Sequence, residues 1–323
     1  MNLNGIHHVT AVSRQIGHNV DFYTRVLGLR LVKKSVNQDD VSAYHLFYAD
    51  KLGSPGTDMT FFDWPQVIAE RRGTDSVTAT AFRVNGREAL EYWSGRLAQH
   101  GVQHQGIEAF AERDVLRFED PEGQRLILVD DKGIPFEGEV WDGSDVPVEY
   151  ALRGFYAVML SIPNLDWIDP ILTEVLAFRQ THHAAFPGGG TVLIYETGNG
   201  GPGRELWVVE EADKPIARPG AGGIHHVAFR VADKDEQRYW HERISRTGLR
   251  VTSFIDRFYF QSIYFRISNG ILFEIATDGP GFATDETLES LGEKLALPPF
   301  LESQREQIEA GLKPIEVASA RQV

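Results

Sequence analysis

Two histidine pairs lie in closely similar stretches of sequence, and histidine is a common metal ligand and proton carrier. The sequence NGIHHVTAV occupies 4–12 and GGIHHVAFRV occupies 222–231. Both segments alternate as β-strands do, and neighbouring strand residues point to opposite faces, so only one histidine of each pair can face a given cavity. In the second segment the set that contains His226 is small and polar, which suits a cavity, and His8 corresponds to it in the first segment.

A carboxylate lies in a comparable place in GILFEIATD, near the end of the repeated part of the chain. Glu274 stands between Phe273 and Ile275, and burying its charge is costly unless it is paired or bound to a metal. Two imidazoles and one carboxylate on an octahedral metal leave positions open for substrate and O2, as in non-heme Fe(II) oxygenases. The three donors therefore predict a site for Fe(II), with Mn(II) as the alternative.

These residues recur at fixed places in an internal repeat. Four copies of a β-α-β-β-β unit are predicted at about 3–70, 76–131, 151–212 and 222–278. The first-strand position of the four units holds, in order, His8, Ala79, Ala157 and His226, and the last-strand position holds Thr60, Ile127, Trp207 and Glu274. Because only the first and fourth units carry candidate ligands, we expect those two units to share the metal cavity. Thr60 stands where a fourth ligand would lie, which argues against a closed structural zinc site.

The repeat predicts an α+β fold in which four βαβββ modules pair into two open β-barrel-like halves. The N-terminal half is expected at 1–135 and the C-terminal half at 150–278, joined by a linker over Asp130–Tyr150. A helical tail is predicted at 279–323, with helices at Thr284–Leu295 and Pro299–Ala310 that cover part of a sheet or a cavity mouth.

Composition narrows the possible partners. The 323 residues include 46 acidic and 32 basic side chains, and the net charge of −14 argues against binding to nucleic acid or to anionic lipid. The absence of cysteine excludes disulfides, thiolate zinc sites, iron–sulfur clusters and cysteine nucleophiles. No signal peptide and no apolar run of about 20 residues is present. We therefore expect a cytoplasmic protein without a membrane partner, and its assembly into a homo-oligomer is left open.

The motifs G-I-H-H-V at the first strand and I-L-F-E-I at the closing strand resemble the vicinal-oxygen-chelate superfamily. Four modules in one chain of this length resemble its ring-cleaving extradiol-type dioxygenases, and most closely the branch that acts on hydroquinones. The stretches LGLRLVKKSVNQDD, YHLFYADKLGSPGT and FYFQSIYFR add to the resemblance, which covers nearly the whole chain.

The resemblance implies iron bound by His8, His226 and Glu274. It also places substrate-contacting or supporting groups at five further positions, which are His7, Thr10, His225, Arg257 and Tyr264. A phenol and a guanidinium can hydrogen-bond a substrate oxyanion, which favours Tyr264 and Arg257. Strict strand alternation instead predicts that His7 and His225 face away from the metal. No site for an organic cofactor is predicted.

Three functions remain in competition at this point. The first is an Fe(II)-dependent extradiol-type dioxygenase that uses O2 to cleave a hydroquinone or catechol-like ring. The second is a glyoxalase-type metal-dependent isomerase or thiol transferase, and the third is a metal-free protein that sequesters an aromatic compound. Other histidines are predicted to be structural, namely the pair His182–His183 and, on a first-unit strand, His45, although His45 could also line the cavity.

Overall fold

The four predicted modules form two separate eight-stranded sheets. The computed structural model describes residues 1–186 and 189–315. The strands are β1 (Ile6–Ser13), β2 (Arg30–Asn37), β3 (Asp40–Ala49), β4 (Asp58–Asp63), β5 (Ser76–Val84), β6 (His104–Phe110), β7 (Arg113–Glu119), β8 (Arg125–Asp130), β9 (Phe155–Ile162), β10 (Arg179–Ala185), β11 (Thr191–Glu196), β12 (Glu205–Glu210), β13 (Ile224–Val231), β14 (Ile255–Asp256), β15 (Gln261–Arg266) and β16 (Leu272–Thr277). The α-helices are α1 (Ile16–Asp21), α2 (Gly86–Gln99), α3 (Leu165–Pro170), α4 (Lys234–Ser245) and α5 (Arg305–Gly311), and π-helical turns follow at Phe22–Val26 and Ile171–Val175.

The first sheet joins the first and fourth modules, and the second sheet joins the second and third. Their strand orders are β14-β15-β16-β13-β1-β4-β3-β2 and β10-β11-β12-β9-β5-β8-β7-β6. Both sheets curl into half-barrels, so the predicted fold class is confirmed, as is the pairing of modules one and four. Each sheet takes one module from either half of the sequence, and the division into halves at 1–135 and 150–278 stays a prediction.

The seam of the first sheet brings the candidate ligands into neighbouring rows. The two first strands, β1 and β13, pair antiparallel, and His8 lies opposite Ala228 while Thr10 lies opposite His226. On the other side of β13, β16 runs parallel and places Glu274 beside Ala228. Three strands from the two ends of the chain thus meet at one point of the half-barrel.

Strict alternation fails at the seam because each first strand carries a bulge. The register passes from Ile6 opposite Phe229 directly to His8 opposite Ala228, which leaves His7 as an extra residue. His225 is the extra residue of β13 by the same reasoning. The second sheet has two corresponding bulges, in which Thr78 and Tyr156 are the extra residues. The bulge is therefore a common feature of the repeated modules. A bulge re-aims the extra side chain toward the face of its neighbour.

The outer faces of the sheets pack against the helices. Trp93 of α2 and Trp240 of α4 are fully buried in one hydrophobic core with Val227, Phe229 and Val231. Val227, Phe229 and Val231 therefore lie on the helix-facing side of β13. Between Asp130 and Phe155, the region of the predicted linker, the chain has neither helix nor strand. In the described part of the chain, no helix has the length and apolar character needed to span a bilayer.

The prediction of two tail helices is wrong for the first and only partly confirmed for the second. Over the first predicted span there are only short 3-10 turns, at Phe282–Thr284 and Leu288–Ser290. The backbone then runs along β2, where Ala296 N donates to Lys34 O at 2.9 Å. Because β2 is the edge of its sheet, its unpaired backbone groups favour this extended partner over a helix. In the second span α5 occupies only Arg305–Gly311, and residues from 316 onward lie outside the described range.

The tail nevertheless covers the sheet as expected. Phe282 is buried against Phe47, with ring centroids 5.0 Å apart, and against Tyr259 at 5.2 Å. The buried ammonium group of Lys33 contacts the carboxylates of Asp285, at 2.8 Å, and Glu286. The segment after β16 therefore packs against the first module, beside the candidate metal ligands.

Candidate metal centre

Three side chains from three strands converge at the seam of the first sheet. His8 Nε2 lies 3.2 Å from His226 Nε2 and 3.2 Å from Glu274 Oε2. The third side of the triangle, from His226 Nε2 to Glu274 Oε2, measures 3.0 Å. All three residues are buried, with at most 4% of each exposed. The structure therefore brings together the three candidate ligands that the repeat singled out.

The two carboxylate oxygens of Glu274 differ in their hydrogen bonds. Ser262 Oγ donates to Glu274 Oε1, whereas Oε2 is buried and has no hydrogen-bond partner among the described residues. Burial by itself raises the pKa of the Glu274 carboxyl, but the charge and hydrogen bonds of His8 and His226 in their protonated forms lower that pKa well below its usual range. An ionised carboxylate whose free oxygen faces two imidazole nitrogens fits a divalent cation, which would satisfy all three donors.

His7 and His225 stand directly behind the two candidate histidine ligands. His7 Nδ1 is 2.9 Å from His8 Nδ1, and His225 Nδ1 is 2.8 Å from His226 Nδ1. The prediction from alternation, that both face away from the metal, is therefore wrong. The bulges described above are the physical reason, because they turn His7 and His225 toward the following histidine.

The hydrogen bonds of His7 define the tautomer of His8. Burial and the neighbouring His8 lower the pKa of His7 to about 3, so His7 is neutral and carries one ring proton. Thr277 O accepts a hydrogen bond from His7 Nε2 at 3.2 Å, which leaves His7 Nδ1 as an acceptor. His8 then donates through Nδ1 and keeps a free lone pair on Nε2, the atom that faces Glu274. Such outer contacts orient metal-binding histidines.

Thr60, which stands where a fourth metal ligand would lie, belongs to a short chain of hydrogen bonds. Its hydroxyl lies 2.7 Å from Thr10 Oγ1, and Thr10 Oγ1 lies 3.0 Å from His226 Nε2. On the other side, Thr60 Oγ1 is 3.0 Å from His45 Nε2. His45 is neutral because burial lowers its pKa well below the usual value. It lines the cavity beside His8 and His226, which is the alternative that the sequence left open for it.

Tyr264 and Arg257 lie on the wall of the same cavity. The ring of Tyr264 is 5.8 Å from that of His226, and burial raises the pKa of its phenol, which therefore stays protonated. Arg257 Nε donates to Tyr264 Oη at 3.3 Å, and Arg257 Nη2 donates to Asp39 Oδ2 at 2.9 Å. Phe260 covers His8 at a ring distance of 5.2 Å.

The cavity above the candidate ligands is small. Its volume is about 40 Å³, far below the several hundred Å³ of ordinary small-molecule pockets. The hairpin residues Gln38 and Asp39 bridge the mouth, because Gln38 Nε2 donates to Arg257 O at 2.9 Å and Asp39 pairs with the Arg257 guanidinium. A cavity of this volume does not hold an aromatic ring, so lining side chains must move before one can enter.

The structure separates the pair His182–His183 from this centre. His182 and His183 are exposed on β10 of the second sheet, and their structural role stays a prediction. Ser262 is a site residue that sequence reasoning missed. It lies two residues before Tyr264 on β15, so the period of a strand could have placed it on the same face.

Comparison with known proteins agrees with this geometry. The model of the Glyoxalase/Bleomycin resistance protein/Dioxygenase superfamily matches residues 5–128. "Putative ring-cleaving dioxygenase MhqA" of Bacillus subtilis is 46% identical over 316 residues, which cover 98% of this chain and all of that protein. The chain belongs to this superfamily. The chlorohydroquinone/hydroquinone 1,2-dioxygenase of Sphingobium indicum is 32% identical over 318 residues, with 95% of both chains covered.

Solved structures give the same grouping. A crystal structure of a putative dioxygenase from Bacillus subtilis is 36% identical, with 98% of both chains covered and a TM-score of 0.90. Glyoxalase I from Zea mays covers 85% of this chain and 92% of its own at a TM-score of 0.62, but with 12% identity it shows the shared fold alone.

Proposed function

We propose that this protein is an Fe(II)-dependent, extradiol-type dioxygenase that cleaves the ring of a hydroquinone or catechol-like aromatic with O2. The observation that carries the proposal is the buried triangle of His8, His226 and Glu274 with a threonine at the fourth position. Three protein donors leave room on a six-coordinate metal for substrate and O2. The relatives named for ring cleavage and for hydroquinone support the reaction and the substrate class.

In this proposal His8, His226 and Glu274 hold the metal, and Mn(II) is the alternative to Fe(II). When bound, an Fe(II) ion supplies a Lewis acid for a substrate hydroxyl and a redox partner for O2. The protonated phenol of Tyr264 donates a hydrogen bond to a substrate oxygen, and the Arg257 guanidinium stabilises the same oxygen as an anion. His45 lines the same cavity and, through its contact with Thr60 Oγ1 at 3.0 Å, orients the hydroxyl at the fourth position.

The test is anaerobic reconstitution with Fe(II), or with Mn(II), followed by oxygen uptake on a panel of hydroquinones and catechols. We expect uptake that depends on the metal and is lost in Glu274→Gln, because the amide keeps the shape but lacks the charge that offsets the cation. His182→Ala on exposed β10 is the matched control and should retain full activity.

A second arm separates the rival activities. Turnover of a glutathione adduct without oxygen uptake would overturn the proposal in favour of a glyoxalase-type isomerase or thiol transferase. Full metal binding and turnover in Glu274→Gln would overturn the ligand assignment. A cytoplasmic location and assembly into a homo-oligomer stay predictions.

A further inference from the structure

The loop between β14 and β15 forms one wall of the cavity above the candidate ligands. Arg257, Tyr259 and Phe260 all line that cavity, and the ring of Phe260 lies 5.2 Å from that of His8. The loop closes on itself, because Arg257 N donates to Phe260 O at 2.9 Å. The conformation of this loop therefore decides where the guanidinium of Arg257 and the ring of Phe260 lie relative to the candidate ligands.

The backbone of this loop is strained at Phe258. The φ of Phe258 is +73°, which lies in the left-handed region that bulky side chains disfavour. Inside the loop, Phe258 N donates to Asp256 Oδ1 at 2.8 Å. A residue persists in such a conformation only where the surrounding structure enforces it. We therefore looked for contacts from outside the loop that hold it in place.

The segment after β16 supplies these contacts through Tyr259. Asp285 Oδ2 accepts a hydrogen bond from the Tyr259 hydroxyl at 2.8 Å, and Gly281 N donates to Tyr259 O at 2.8 Å. The ring of Phe282 packs on that of Tyr259 at a centroid distance of 5.2 Å. The residue directly after Phe258 is thus held at its hydroxyl, its ring and its carbonyl oxygen by a single segment.

Lys33 of β2 fixes the position of Asp285. Lys33 Nζ donates to Asp285 Oδ1 at 2.8 Å and to Phe282 O at 3.1 Å, and its third partner is the carboxylate of Glu286. These three acceptors match the three donors of an ammonium group. The side chain of Lys33 is fully buried, and a buried charge is costly unless it is paired. Asp285 is therefore held by Lys33 on one oxygen and by Tyr259 on the other.

We propose that Asp285 is a positioning residue, which acts through Tyr259 to hold Phe258 in its strained conformation. This arrangement places Arg257 and Phe260 beside the candidate metal ligands. Asp285 is not among the residues that line the cavity, so it acts only through the loop. The effect on catalysis rests on the proposed dioxygenase function, whereas the anchoring of the loop is a property of the protein without metal or substrate.

The first test measures the loop in the metal-free, full-length protein. Hydrogen exchange is followed by mass spectrometry in peptides that contain 256–261. Asp285→Ala and Tyr259→Phe should each accelerate exchange there by at least about 10-fold, because each removes a hydrogen bond to a charged group. Glu302→Ala is the matched control, since Glu302 is in the same tail and its carboxylate pairs with Arg305, three residues further along the chain.

The second test uses the protein loaded with Fe(II) and hydroquinone as the substrate. Asp285→Ala should lower kcat/KM by about 10-fold. The affinity for Fe(II), measured by anaerobic calorimetric titration, should stay at the wild-type value, because none of the three candidate ligands lies on this loop. A residue that only stabilised the fold would leave kcat/KM of the folded protein unchanged.

Substitutions at Phe258 separate positioning from general stabilisation. Phe258→Gly removes the penalty of a positive φ, whereas Phe258→Ala removes the same ring and retains the penalty. Adding Phe258→Gly to Asp285→Ala should therefore recover most of the lost kcat/KM, and adding Phe258→Ala should not.

Three results would each overturn the proposal: unchanged loop exchange in Asp285→Ala, reduced Fe(II) affinity in that variant, or equal kcat/KM in the two double variants. If Asp285→Ala fails to fold, Tyr259→Phe decides, because it leaves the ion pair of Lys33 and Asp285 intact. Absence of oxygen uptake by the wild type with hydroquinone would refute the proposed function on that substrate, and the exchange measurement would still decide whether Asp285 anchors the loop.

Discussion

Replacing His7 by phenylalanine tests whether the residue behind a candidate ligand controls that ligand. His7 is 3% exposed, and its ring packs on Phe260 at 5.1 Å, so a phenyl ring of similar size can occupy the same place. The substitution removes the acceptor that His8 Nδ1 uses at 2.9 Å. His8 is then free to carry its proton on Nε2 instead, where it would donate to Glu274 rather than bind a metal.

The expected loss follows from the burial of this contact. A buried donor left without a partner costs about 1–3 kcal/mol. Mutation of outer contacts of metal ligands weakens metal binding about 10–100-fold, which corresponds to about 1.4–2.7 kcal/mol. The two ranges agree, so we expect metal affinity in His7→Phe to fall by 10–100-fold.

The assay is anaerobic calorimetric titration of Fe(II) or Mn(II) into the metal-free protein. His7→Gln, which retains an acceptor, should recover part of the affinity, and His182→Phe on the exposed face of β10 should change nothing. Wild-type metal affinity in a folded His7→Phe protein would refute the reasoning from tautomers.

Three other predictions follow from named contacts. Thr60→Glu should increase metal affinity while oxygen uptake falls, because a fourth ligand competes for an open position; unchanged uptake at full metal occupancy would show that Thr60 does not border it. Asp39→Asn should raise kcat/KM for the aromatic substrate by no more than about 5-fold, since an exposed ion pair contributes about 0–1 kcal/mol. A steady-state comparison with wild type measures this, and a fall in kcat/KM would contradict a gating role. Burial raises the pKa of the Glu205 carboxyl to about 7. The folded state then holds a proton that the unfolded chain releases, so stability should fall as pH rises from about 4.5 to about 7. Urea denaturation at pH 5 and pH 7 should show this fall in wild type and a smaller one in Glu205→Gln.

The modules, their pairing and the three candidate ligands can all be predicted from the order of the amino acids. Strand alternation and the spacing within each repeat are local properties, so they can be recognised in a single sequence without knowledge of tertiary contacts. Comparing the same position in four copies then identified His8, His226 and Glu274, and it predicted that the first and fourth modules meet.

The surroundings of those ligands depend on contacts between distant parts of the chain. The bulges at His7 and His225 arise from pairing between strands more than two hundred residues apart, so no local pattern reveals that these side chains turn toward the metal donors. The extended tail depends in the same way on the free edge of β2, whose backbone groups are satisfied by Ala296 rather than by helix formation. A local sequence pattern specifies which face a residue takes on a regular strand, whereas the register between distant strands decides where that regularity breaks.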